Sequence, residues 1–216
     1  MENIEYKGYT IEIKQDEFAE NPRDPNYQDN FGILLTAHKN YSIGEVDIQK
    51  KYPDAENWQD IEKAIKDEYN PVIMLPVYMY DHSIQRFKIG SFQGYLPEGH
   101  AEFDSGKIGY IIAEKDKIKK EYDVKRISKK LKDQITEILQ QEIKQLDQWS
   151  CGDVYGYNIE ETGDSCWGYY GYDYALQEAK GIVDYIVKTQ REKKQKTLKS
   201  LIKNHIPLIY REAKLA

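Results

Sequence analysis

Cysteine is scarce in this chain, with two in 216 residues. Cys151 and Cys166 lie too far apart for a CxxC site and are too few for a disulfide scaffold, so free thiols in a reducing compartment are expected. Long apolar runs are missing as well. No stretch approaches the roughly 18 apolar residues that cross a bilayer, and neither end shows the basic, apolar, small-residue pattern of a signal peptide. A soluble, cytoplasmic protein with no membrane partner is expected. The glycines form neither a GxGxxG nor a GxxxxGK[ST] run, which disfavours an ordinary nucleotide-dependent enzyme. His38, His82, His100 and His205 follow no HxxxH or HExxH spacing, so neither a metal nor a cofactor is indicated.

What is abundant is charge, and it is segregated. The net charge is -6. Residues 1–106 carry 20 acids and 10 bases, and residues 107–150 carry 8 and 11. Residues 151–187 carry 7 acids and 1 base, whereas residues 188–216 carry 2 and 9. Such asymmetry suits charge-guided binding of a partner, and so acidic a first half excludes a uniformly basic nucleic-acid protein.

Hydrophobic periodicity gives the elements. "EYKGYTIEIKQDE" alternates Tyr9, Ile11 and Ile13 with polar residues, as a strand with one wet face does. "FAENPRDPNYQDN" reads as a surface loop, and "FGILLTAH" as a short strand expected to pair with the first. Asn57 caps a helix built on Trp58, Ile61, Ala64 and Ile65. "VIMLPVYMYDHS" is the most apolar strand, although Pro76 is awkward in the middle of a sheet. "RFKIGSFQ" and "KIGYIIAEK" follow as strands around a loop from Gly94 to Gly106. "KDKIKKEYD" is helical, and Ser128 opens an amphipathic helix with Leu131, Ile135, Ile138, Leu139, Glu142 and Leu146 on one stripe.

"VYGYNIE" and "SCWGYYG" then flank a Thr-Gly-Asp turn as an aromatic hairpin. Asp173 is the expected N-cap of a following helix that turns Ala175, Leu176, Ala179, Ile182, Val183 and Ile186 inward. The segment from Lys188 on either continues that helix or forms a separate basic tail, and Pro207 ends any helix begun before it.

Four groups could carry chemistry or binding. Asp81, His82, Asp104 and Ser105 are the weak catalytic candidates. Strand neighbours point to opposite faces, which disfavours a triad of Asp81, His82 and Ser83, and a looser site would join Asp81 or His82 to Asp104 and Ser105. Trp167, Tyr169, Tyr170 and Tyr172 form either a hydrophobic corner or a stacking surface for a ligand. If Trp167 is core, its replacement by Ala costs about 3 to 5 kcal/mol, and far less if it is a platform. Lys119, Lys120, Lys125, Arg126, Lys129 and Lys130 make one basic patch and the C-terminal lysines another, each able to meet phosphates or simply to be solvated. The acids between Glu17 and Glu68 could instead imitate a phosphate track for a basic partner, provided they share one surface.

Several runs carry a resemblance. "DEFAENPRDPNYQDNFGILLTAHKNYSIGE", "PVYMYDHS", "FDSGKIGYI", "DVYGYNIE" and "SCWGYYGYDYALQEA", in that order over most of residues 1–187, resemble an uncharacterised protein family of bacteriophages and mobile elements. Ile84 stands where that pattern has glycine after YDHS, and Phe103 where it has tryptophan. The resemblance implies an accessory role, of which binding and inhibiting a host factor, such as a nucleic-acid-guided or restriction defence, is one common form.

The expectation is therefore an α+β fold, with a mostly antiparallel sheet completed by the aromatic hairpin, amphipathic helices packed on it, and a basic C-terminal helical tail. Residues 1–187 are expected as a single domain and 188–216 as the tail. The expected role is a phage-type counter-defence protein that binds a host protein. A hydrolase or nucleotide-handling enzyme at Asp81, His82 and Asp104, or a nucleic-acid-binding protein using the lysines, are the alternatives.

Overall fold

The computed structural model describes residues 2–24, 30–95 and 103–204. The fold is α+β, with two mostly antiparallel sheets and five helices among the described residues. The chain divides into two compact units, one comprising Met1–Glu17 and Val154–Ala216, the other Phe18–Asp153.

The first unit holds the sheet β1-β2-β8-β9, antiparallel throughout. Strand β1 (Glu2–Tyr6) turns into β2 (Tyr9–Gln15) at Lys7 and Gly8, with φ of 51° and 81°. Positive φ at both central residues is the two-residue hairpin turn whose twist matches the strands it joins. The alternation around Tyr9 thus belongs to the second arm of a hairpin. Strand β2 pairs not with the "FGILL" run but with β8 (Val154–Ile159), which continues through the Thr162-Gly163 turn into β9 (Asp164–Tyr170). The aromatic hairpin accordingly completes a sheet with the N-terminal strands.

Helix α5 (Tyr172–Lys203) covers one face of this sheet. Ala175, Ala179 and Val183 pack on Ile11, Ile13, Tyr157 and Ile159, and small residues on the helix let it lie close to the strands. Its N-cap is Gly171, at φ 95°, rather than Asp173, which lies in the first turn. A glycine adopts that backbone geometry without a Cβ penalty, so the strand bends into the helix two residues sooner than a side-chain cap would place it. Past Val187 the helix continues to Lys203 without a break.

The second unit holds the sheet β4-β3-β7-β5-β6. Strand β3 (Ile33–Thr36) pairs antiparallel with β7 (Ser105–Glu114) and parallel with the short β4 (Val46–Asp47). Strand β5 (Pro71–His82) runs between β7 and β6 (Ile84–Ile89). Pro76 is tolerated there for a specific reason. Its carbonyl accepts from Gly90 N, just beyond the end of β6, so its missing N–H points to the side where that strand has stopped.

Both faces of this sheet are covered. Leu34 and Ile111 turn toward α4 (Lys129–Ser150), meeting Ile135, Leu139, Ile143 and Leu146, with Ile118 from α3 (Lys115–Glu121) in the same core. Their neighbours Leu35 and Ile112 face the other way, toward Ile48 of α1 (Ile48–Lys51) and Trp58, Ile61 and Ile65 of α2 (Trp58–Tyr69). Strand alternation explains the division. Asn57 and Ser128 cap α2 and α4, their side-chain oxygens accepting backbone N–H groups of the first turns.

Candidate binding surfaces and the His82–Asp104 pair

Trp167 is the exposed member of the aromatic hairpin. The register of β8 and β9 slips between Tyr155 and Tyr157, and Gly168 opposite has a φ of 85°, which together make a bulge. The bulge lays the Trp167 indole over Gly156, where any Cβ would overlap the ring. Glycine at 156 is therefore the seat of the indole, yet Trp167 remains 49% exposed. Its neighbours behave otherwise. Tyr169 stacks on Tyr157 at 5.7 Å and meets Tyr174 edge-on at 5.6 Å, while Tyr155 meets Tyr172 at 5.6 Å. Burial pushes the Tyr157, Tyr169 and Tyr170 hydroxyls up, with Asp16 adding to the effect at Tyr170. Tyr169 and Tyr172 pack on the core under α5, and Tyr170 is half-buried. The hairpin is thus a hydrophobic corner on one side and carries a solvent-facing tryptophan besides.

The structure brings His82 and Asp104, both catalytic candidates, into direct side-chain contact. His82 Nδ1 lies 3.2 Å from Asp104 Oδ2. The pair is held by the sheet: Asp81 N donates to Asp104 O at 2.9 Å, and Ser105 lies opposite Tyr80. Ser83 makes the β5–β6 turn alone with a φ of 65°, a left-handed geometry that glycine adopts more readily. His82 shares a face with Tyr80, their rings 6.1 Å apart and nearly parallel. The imidazole is open to solvent, with 55% of its side chain exposed.

The lysine patch spans the end of α3, the connection after it and the first turn of α4. Lys120, Lys125, Arg126, Lys129 and Lys130 are exposed and Lys119 half-buried. The first turn of α4 holds no acid, so Lys129 and Lys130 stand against the positive end of the helix dipole. The N-terminal acids, by contrast, are partly used within the fold. Asp47 caps α1, Glu62 pairs with Lys66, Glu68 pairs with Lys51, and Glu45 pairs with Arg23.

Two residues with no local sequence signal, Arg23 and Asp147, hold parts of the fold together. Arg23, in a run that reads as a surface loop, is buried, with its side chain 1% exposed. Its guanidinium donates to Glu142 Oε2 at 2.9 Å, to Glu45 Oε1 at 3.1 Å and to Gly32 O at 3.1 Å. Asp147 was equally silent. It holds Arg86 through two bonds of 2.8 Å and accepts Phe87 N at 2.8 Å, closing the outer edge of β6 together with the Ser150 hydroxyl, which donates to Gln85 O. The signal for Glu142 was a carboxylate on an apolar stripe, which demands a buried partner.

Among the described residues no group of three or more His, Cys, Asp or Glu side chains is placed to hold a metal ion, and no helix is long and apolar enough to cross a membrane. His100, His205 and Pro207 lie outside the described residues. No family model matches the chain, and no curated protein or solved structure is significantly similar to it.

Proposed function

We propose that the chain is a binding protein of bacteriophage or mobile-element type that occupies and inhibits a host protein, with Trp167 as its anchor. The observation that carries this reading is the seat of the indole: a large aromatic ring held on Gly156 and still half open to solvent. A fixed, exposed tryptophan loses little freedom when a partner covers it, and tryptophan is among the residues that concentrate binding energy at interfaces. The segregated charge adds steering, and the resemblance to a phage protein family supports the biological setting. A host defence system is the target class that this setting suggests.

The test is capture from nuclease-treated bacterial lysate with wild-type chain and Trp167→Ala side by side. A host protein retained by the first and lost by the second supports the reading. Equal retention by both removes Trp167 from it.

The His82–Asp104 contact favours a second reading, a hydrolytic enzyme in which Asp104 orients the imidazole as a general base. Turnover of an ester or phosphodiester panel that His82→Ala abolishes would establish it. A catalytic imidazole is usually shielded from bulk water, and this one is open, so the binding reading stands first.

A further inference from the structure

The distal half of α5 carries a second surface, separate from the Trp167 seat. Residues 188–203 hold seven bases and one acid, Glu192. From Arg191 to Ser200 every side chain is exposed. None of the seven bases pairs with an acid among the described residues.

Their arrangement on the helix matters more than their number. At 100° per residue, Lys188, Lys196, Lys199 and Lys203 fall within an arc of about 80°, on the side opposite the Ala175, Ala179 and Val183 stripe that meets the sheet. Tyr185, 68% exposed, lies within the same arc, one turn before Lys188. The row from Lys188 to Lys203 is about 22 Å long at 1.5 Å per residue. An aromatic ring at one end of an ammonium row offers a base a face to stack on and offers the following phosphates their counter-charges.

The other occupant of a basic helix is an anionic membrane surface, which needs a continuous apolar face. Between Val187 and Leu198 this helix has none, the intervening positions being polar or charged. We infer that the outer face of α5 from Tyr185 to Lys203 binds single-stranded nucleic acid, its lysines on the phosphate backbone and Tyr185 stacked on a base.

The experiment is fluorescence anisotropy of the purified full chain with a labelled single-stranded oligonucleotide of about 20 nucleotides, over a salt series. Lys196→Gln, Lys199→Gln and Lys203→Gln are combined in one variant, and Tyr185→Ala is made alone. With roughly 0.7 counterions released per phosphate contact, the triple variant should lower the log–log salt slope by about 2 and weaken binding at least tenfold at low salt. Tyr185→Ala should weaken binding by about fivefold or more and leave the slope unchanged. Trp167→Ala should bind the oligonucleotide as the wild type does, which separates this surface from the host-protein reading. Binding that is unchanged in the triple variant, or capture of anionic phospholipid vesicles with no capture of oligonucleotide, overturns the inference. The substituted side chains are exposed, and an unchanged thermal transition shows that the variants are folded.

Discussion

Arg23 and Glu142 form a buried ion pair across 119 positions of sequence, Nη2 to Oε2 at 2.9 Å, and it ties the segment before β3 to the middle of α4. Glu142 also accepts from Phe31 N at 2.6 Å and Gly32 N at 3.1 Å, so one carboxylate satisfies three donors. Gly32 permits this approach, because a Cβ there would meet Leu139 and the Glu142 carboxylate. Removing Arg23 leaves that carboxylate buried without its cation. Arg23→Ala is expected to lose about 3 to 5 kcal/mol of stability. Urea unfolding of the variant against wild type checks it, with a change in midpoint and no change in slope.

Asp147 supplies the second prediction. Its carboxylate closes the free edge of β6, and its hydrogen bonds hold the Arg86 guanidinium well above its usual range. Asp147→Ala should cost about 1.5 to 3 kcal/mol, as hydrogen bonds to charged groups do. An uncovered edge is also a template for pairing with other chains, so the variant should associate at high concentration. Amide exchange at Phe87 and light scattering measure the two effects.

The Glu161 carboxylate accepts from Thr10 N at 2.8 Å and from the Thr10 hydroxyl at 2.9 Å, and these bonds, the backbone one foremost, hold it below the usual 4.5. A depressed folded-state value stabilises above the unfolded value, and the contribution is lost as pH falls through the folded one. Carboxyl NMR titration should place the Glu161 midpoint below 4.5. In Glu161→Gln the stability should lose this component of its acid dependence.

Trp167→Ala should cost only about 1 to 2 kcal/mol, since half of the ring is already in water. Gly156→Ala should cost a similar amount for the opposite reason, because the new Cβ displaces the indole from its seat. Thermal unfolding of both, with tryptophan emission in the second, distinguishes a lost ring from a moved one.

Local signals carried much of this. The caps Asn57 and Ser128, the stripe of α4 and the aromatic hairpin are each written within one short continuous stretch of chain, where side-chain period and cap chemistry act directly. Strand partners are not. Nothing local tells β2 to choose β8, some 145 positions away, over the nearer "FGILL" run, because pairing is decided by which faces can be buried together. The same limit hid Arg23, whose proline-bearing surroundings resemble any exposed loop until Glu142 is brought to it. For the candidate site, alternation within one strand says nothing of Asp104, whose approach to His82 comes from the β5–β7 register. Tyr185 lies on the outer face of a helix whose apolar periodicity marks only its buried side.

The most direct test of the central claim uses 5-fluorotryptophan. The chain has three tryptophans, Trp58, Trp149 and Trp167, and Trp167→Phe assigns the resonance of the third. In nuclease-treated host lysate the Trp167 fluorine resonance should move from its position in buffer as a host protein covers the ring. A Trp167 resonance that stays where it is in buffer contradicts the account.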